Sequence, residues 1–264
     1  MKQPKIMVLS PTHNITGDRG EIHDMFCKRM AHIRDKFGIE MLVIGSDGEI
    51  SKNMTEGYGH LYMEFENKPV SNKWNGGMAK MREYEPDYVM TLDSDDFLSD
   101  SLFEEYIRLI STGNFNMVGV ADSYFVSFHL KRAHFDKCFY WQGYGRGDVI
   151  MGCSKVVSRD ILDAVDWVPW PEGRGCGLNN HFHRKVSGAM TFPYKKAVIN
   201  IKKDNHFHID IKTNGNISSI SPLWKEKKLL DFDELVHRYF PKEEADFMAE
   251  YRERKVEQYA NRGK

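Results

Sequence analysis

Long apolar runs are missing from this chain, and so is any surplus of charge of one sign. No stretch approaches the ~20 consecutive apolar residues that a membrane-crossing helix needs. The opening Met-Lys-Gln-Pro-Lys leads straight into a short strand-like run, with no apolar core of an export signal. The 37 basic and 38 acidic side chains leave a net charge of -1. That balance gives no support for wholesale nucleic-acid binding, although it permits a local basic groove. Cysteine is scarce: Cys27, Cys138, Cys153 and Cys176 stand far apart with no Cys-x-x-Cys pair, so a thiolate zinc site is not expected. Free thiols without an export signal point to a reducing cytoplasm. No Gly-x-Gly-x-x-Gly follows the first strand-like run and no phosphate-binding Gly-x-x-x-x-Gly-Lys-Ser/Thr occurs, which disfavours dinucleotide binding and P-loop hydrolysis.

What is present suits a folded globular protein: 264 residues, 41% hydrophobic and 28% charged. Strand-like runs fall at Lys5–Ser10, Glu40–Gly45, His60–Phe65 and Tyr88–Leu92. Helical periodicity covers Glu21–Phe37, Asn72–Tyr84 and Ser99–Ile110. This alternation predicts an α/β fold built on a parallel, doubly wound sheet. Further along, Met117–Phe128, Val149–Ser154 and Ala197–Lys202 read as strands. Arg159–Val165 and Leu178–Val186 read as helices, Trp167–Gly177 as a loop, and the charged chain from Leu223 as helical, closing with Lys242–Tyr259. With no repeat or linker, one compact domain with a helical tail is the simplest organisation.

The chemistry gathers at Asp93-Ser94-Asp95-Asp96, straight after an apolar strand. Open α/β sheets bind ligands at the carboxyl ends of their strands. Asp93 and Asp95 alternate and can face one side of an extended segment. Adjacent carboxylates repel unless a cation lies between them, and hard oxygens suit Mg²⁺ or Mn²⁺. The plain alternative is a cap for the helix that starts near Ser99. Ser46-Asp47-Gly48 is a turn, or a carboxylate for a ribose or base. Asn75-Gly76-Gly77 belongs to a capped helix, or lets backbone approach a ligand.

Taken in order, Ser10-Pro11-Thr12, Ser46-Asp47-Gly48, Asn75-Gly76-Gly77 and Thr91-Leu92-Asp93-Ser94-Asp95-Asp96 resemble the nucleotide-sugar half of GT-A fold glycosyltransferases. The resemblance covers roughly residues 5–200 and is strongest up to Leu98. It implies a GT-A type, Rossmann-like, mostly parallel sheet with a C-terminal helical extension. The GT-A domain would span 1–221, with a donor half to residue 98 and an acceptor half after it, and the tail would span 222–264. It implies hexosyl or pentosyl transfer from a nucleoside-diphosphate sugar, a UDP-sugar for preference. Asp95 and Asp93 would hold Mn²⁺ or Mg²⁺, with His206 and His208 as further ligands. Thr12, Asp47, Asn75, Gly76 and Asp93 would contact the nucleotide, and Lys212 the phosphates. A general base is expected near Gly173–His181, but Asn179 and Asn180 stand where a carboxylate should be, leaving Asp148, Glu172, Asp122 and His181 as substitutes beside Asn180.

Aromatic residues crowd the stretch from Tyr124 to Trp170, as a second core layer or as an acceptor platform, with Trp141 and Tyr144 the best placed for the latter. Basic residues Lys131, Arg132, His134, Lys137, Arg146, His183–Lys185, Lys195 and Lys196 could follow a phosphate backbone. The second half is similar to small phage-encoded members of the family, which implies a hydroxymethylated pyrimidine in phage DNA as acceptor. A cell-surface glycan precursor, or a nucleotide-sugar-binding module that no longer catalyses, are the alternatives.

Overall fold

The computed structural model describes residues 3–17, 19–129, 135–143, 149–191, 193–213 and 228–261. Buried strand β1 (Ile6–Pro11) leads to helix α1 (Gly20–Phe37), which ends where Gly38 turns left-handed at φ 70° and its N–H caps the Arg34 carbonyl. Strand β2 (Glu40–Gly45), helix α2 (Glu49–Gly57) and strand β3 (Leu61–Glu64) follow, then helix α3 (Val70–Met81) and strand β4 (Tyr88–Thr91). The expected early elements are therefore found, together with α2, for which the sequence gives little signal beyond the preceding turn Ser46-Asp47-Gly48. Its short amphipathic stretch buries only Ser51 and Thr55, too little apolar signal to be noticed.

After β4 come short strand β5 (Asp96–Leu98), helix α4 (Asp100–Ser111), strands β6 (Met117–Val120), β7 (Ser123–Ser127), β8 (Lys137–Trp141) and β9 (Lys155–Ser158), and helices α5 (Arg159–Ala164) and α6 (Leu178–Ala189). Strands β10 (Lys196–Ile199), β11 (His208–Lys212) and β12 (Leu229–Leu230) precede helices α7 (Phe232–Tyr239) and α8 (Lys242–Asn261). The main sheet has the order β10-β6-β9-β4-β1-β2-β3, parallel except for β9, which runs antiparallel between β4 and β6. A mixed α/β architecture with a parallel-rich sheet is thus established.

Two expectations need correction. The strand placed at Val149–Ser154 lies instead at Lys155–Ser158. The single strand expected over Met117–Phe128 is two strands in different sheets, because β7 joins a second sheet of order β12-β8-β7-β11-β5. Asp122 stands at the crossing: it accepts hydrogen bonds from the Ile201 N–H (2.9 Å) and the Tyr140 hydroxyl, fastening one sheet's edge to the other. Most of the clustered aromatics are core. Phe125 stacks on Phe139 and meets Trp141 edge-on, and Phe128 packs against Phe232 and Tyr251. Helices α7 and α8 contribute Val236, Ala245, Met248 and Tyr251, with Phe240 between the two helices, to the same apolar cluster as β1 and α1. Among the described residues no helix is long and apolar enough to cross a membrane.

Candidate functional site

The carboxyl ends of β1, β2 and β4 lie side by side, since β1 pairs in parallel with both neighbours. Each is followed within two positions by a residue singled out from the sequence: Thr12, Asp47 and Asp93. Thr12 is fully buried; its N–H donates to the Ile44 carbonyl (2.9 Å) and its own carbonyl accepts from Lys73 Nζ (2.6 Å). Asp47 Oδ1 accepts the Asn14 N–H, while Oδ2 is buried without a hydrogen-bond partner among the described residues. A narrow cleft of about 90 Å³ opens at this edge, lined by Arg19, Lys73, Trp74, Asp93, Asp95 and Lys212. It shares Asn67 with a shallower groove bordered by Ser46, Glu64, Phe65 and Asn72.

Asp95 is the hub. Its Oδ1 lies 3.3 Å from Arg19 Nη2 and its Oδ2 lies 3.7 Å from Lys212 Nζ, all three side chains being nearly buried. Lys212 also holds Asp210 at 2.6 Å, and Arg19 donates to the Ser94 hydroxyl at 3.0 Å. Strand β11 fixes this arrangement, because the Ile211 N–H donates to the Asp95 carbonyl at 2.9 Å. Burial and the negative charge of Asp95 push the Asp93 carboxyl up to about 6. Although burial opposes it, the surrounding carboxylates Asp210, Asp95 and Asp96 hold the Lys212 ammonium well above the usual lysine range. Lys73, buried with few compensating charges, falls to about 8.

The expected divalent ion does not fit this arrangement well. Both oxygens of Asp95 already face basic side chains, and neither predicted histidine joins it. His206 precedes β11, so strand alternation does not align it with His208. Its Nδ1 lies 3.1 Å from the Ser101 hydroxyl. His208 is buried with Nδ1 2.7 Å from the Ser123 hydroxyl and Nε2 3.4 Å from Asp96 Oδ1. Burial lowers its imidazole to about 4 and raises the Asp96 carboxyl well above the usual range. Among the described residues the one cluster with three metal-ligand types close together is Asp96, Cys153 and His208, behind the cleft rather than in it. Asp96, left open from the sequence as a cap or acceptor-side residue, therefore faces the core.

Asn75 and Gly76 are also corrected. Asn75 spends both ends of its amide on Trp170, donating to its carbonyl (2.8 Å) and accepting its N–H (3.2 Å). A Cβ at Gly76 would meet the Phe65 ring at 2.4 Å, and one at Gly77 the Ile44 side chain at 2.0 Å. Gly77 brings α3 down onto the sheet, and Gly76 brings it against the Phe65 ring that borders the groove.

Of the acid–base candidates, Asp148 lies outside the described residues, as do Lys131, Arg132, His134, Tyr144 and Arg146. Asn180 is exposed and its amide cannot accept a proton. The Asn179 amide is held by Lys155 Nζ (3.1 Å) and the Ile150 carbonyl (3.0 Å). Glu172 is exposed on a loop tied to α3: the Gly173 N–H donates to Asn72 Oδ1 (3.0 Å) and the Arg174 N–H to the Ser71 hydroxyl (2.9 Å). His181 is half-buried on the first turn of α6. Asp122 is fully buried and committed to the joint between the sheets. Sequence reasoning missed Arg19 and Lys73. Arg19 sits in a loop between two glycines, and nothing local links it to a carboxylate 76 positions later. Lys73 lies in the first turn of α3, in a segment whose sequence speaks for a capped helix or for backbone near a ligand but does not single out the lysine.

No family model matches the sequence, and no curated protein matches it. Among solved structures, residues 1–349 of Staphylococcus aureus TarS in complex with UDP-GlcNAc superpose with a TM-score of 0.56 at 17% identity, covering 89% of this chain and 65% of that one. A second structure of the same TarS segment gives 0.52 at 14% identity over 78% of this chain, which spans only 60% of that one. The 4-diphosphocytidyl-2C-methyl-D-erythritolsynthase of Anaerococcus prevotii gives 0.50 at 13% identity, covering 75% of this chain and 87% of that one. These likenesses establish the fold, and it is the GT-A type expected.

Proposed function

We propose that this chain is a glycosyltransferase that moves a sugar from a nucleoside-diphosphate sugar, for preference a UDP-sugar, to an acceptor hydroxyl. The observation that carries this reading is the convergence of Asp93, Asp95, Arg19, Lys73 and Lys212 on one cleft at the carboxyl ends of β1, β2 and β4. Its support from likeness is that TarS, of shared fold, was solved with UDP and with UDP-GlcNAc. The adjoining groove supplies the Phe65 ring and the Glu64 carboxylate for a base and ribose. As the sugar leaves, negative charge builds on the diphosphate, and preorganised basic side chains in a half-dry cleft stabilise it more than water can. The proton of the acceptor hydroxyl then needs a base. Glu172, His181 and Asp148 remain the candidates, and the loop bearing Glu172 is tied to the groove residue Asn72 and to Ser71.

For the acceptor we propose a hydroxymethylated pyrimidine in phage DNA. Support comes from exposed Arg184, Lys195 and Lys196 beside half-buried His183, whose imidazole is lowered to about 4 by burial, then Lys155 and Lys196. Incubating the protein with labelled UDP-glucose or UDP-GlcNAc and hydroxymethylcytosine DNA should label the DNA. Labelling of glycan precursors alone would replace the acceptor. Asp95→Ala should weaken both transfer and UDP binding by misplacing Arg19 and Lys212; unchanged binding and transfer would refute the cleft as the donor site. A second reading, binding without catalysis, is favoured by the amide of Asn179, already locked by Lys155 and Ile150 where a carboxylate was expected. Tight UDP binding with neither transfer nor donor hydrolysis would establish it.

A further inference from the structure

The side chain of Lys212 lies between the Asp95 and Asp210 carboxylates, on the Asp95 oxygen that a divalent ion would need. Its ammonium lies 2.6 Å from Asp210 and 3.7 Å from Asp95. A Mg²⁺ or Mn²⁺ ion needs carboxylate oxygens at about 2.0–2.2 Å and several waters. An ion against Asp95 Oδ2 would lie within a few ångström of the ammonium, at a cleft where little water screens the repulsion. Swinging Lys212 away is opposed by its surroundings. It is almost buried, it ends a strand whose preceding residue is hydrogen-bonded to the Asp95 backbone, and leaving would strand the buried Asp210 carboxylate. The other oxygen of Asp95 is covered by Arg19, itself tied to Ser94. Neither His206 nor His208 approaches, since they are engaged with Ser101 and Ser123; the histidine that lines the cleft is His13.

We propose that Lys212, seconded by Arg19, takes the place of the divalent cation, so that the donor diphosphate is bound and its departure stabilised without a metal ion. The inference rests on the nucleotide-sugar reading of the cleft. An ammonium and a guanidinium offer several N–H donors to phosphate oxygens. Together with Lys73 they set three cations against the phosphates at one cleft. The carboxylates Asp95 and Asp210 then act as positioning residues that hold the two cations extended toward the donor, rather than as metal ligands.

The test is binding of UDP to the full chain by calorimetry, first with excess EDTA and then with added Mn²⁺. Equal affinity in both conditions, and a loss of about 10–100-fold in Lys212→Met that circular dichroism reports as folded, is the expected result. Should Lys212→Met fail to fold, the comparison of EDTA with Mn²⁺ on the unaltered chain decides alone. UDP binding that vanishes with EDTA and returns with Mn²⁺ would overturn the inference while leaving the nucleotide reading in place. No UDP binding in either condition would overturn both.

Discussion

Replacing Gly77 by alanine tests whether the approach of α3 to the sheet is as close as described. A Cβ there would lie 2.0 Å from Ile44 Cδ1, 2.6 Å from its Cγ1 and 2.9 Å from Leu9 Cδ1, both residues being fully buried. Carbon atoms settle at about 3.5–4.0 Å, so helix and sheet must part by over an ångström or Ile44 must leave its rotamer. Overpacking of this kind costs about 1–3 kcal/mol, partly offset by the roughly 1 kcal/mol that alanine gains over glycine inside a helix. Gly188, within α6, is the control because nothing lies within 4 Å of its Cβ position; there only the propensity gain operates. Thermal unfolding should therefore place Gly77→Ala below the parent by a few degrees and Gly188→Ala slightly above it, at about 2–4 °C per kcal/mol. Because α3 carries Lys73, the same variant should also weaken UDP binding. A Gly77→Ala protein as stable as Gly188→Ala would refute the close packing and the account of Gly76-Gly77 built on it.

Lys73 gives a pH signature. Its ammonium is depressed to about 8, so it is charged at neutral pH and loses its proton as pH rises through that value. UDP affinity should fall above pH 8, approaching tenfold per unit, and Lys73→Met should abolish that step; a pH profile flat from 7 to 9.5 would exclude Lys73 from the donor contact. Arg29 gives a stability signature. It is buried against Asp100 (2.5 Å), Glu244 (3.2 Å) and the Leu98 carbonyl, joining α1 to the start of α4 and to α8. Arg29→Met should cost about 3–5 kcal/mol in urea unfolding, and a loss under 1 kcal/mol would show that Asp100 is satisfied by Lys36 and His32 alone.

The sequence was most legible where element and period coincide. Strands β1, β2 and β4 are nearly unbroken buried runs, α1 ends at a glycine, and the acidic run after β4 lies at the sheet edge where the cleft opens. It was least legible where contacts are distant. Ala121-Asp122 carries no turn chemistry, yet there the chain leaves one sheet for another, because Asp122 finds partners 18 and 79 positions away. The two late histidines invited an alternation argument that fails because the strand begins at His208 itself. Gly76-Gly77 speaks equally for a ligand or for a packed sheet until the neighbours are known. Cations were the largest omission: a search for metal ligands finds acids and histidines, whereas Arg19 and Lys73 declare themselves only once the chain is folded around them.

The clasp between Asn75 and Trp170 has a mechanical side. Lys73, bonded to Thr12 at the foot of the cleft, and Asn75, bonded at both ends to Trp170, are two residues apart on one helix. Ser71 and Asn72 hold the next turn of the same loop, three residues further on. Helix α3 thus carries Lys73 near one end and the loop bearing Glu172 strapped along its side. If the cleft takes the donor as proposed, any shift of α3 on phosphate binding would carry that loop with it, coupling the donor side to the loop that bears the proposed base.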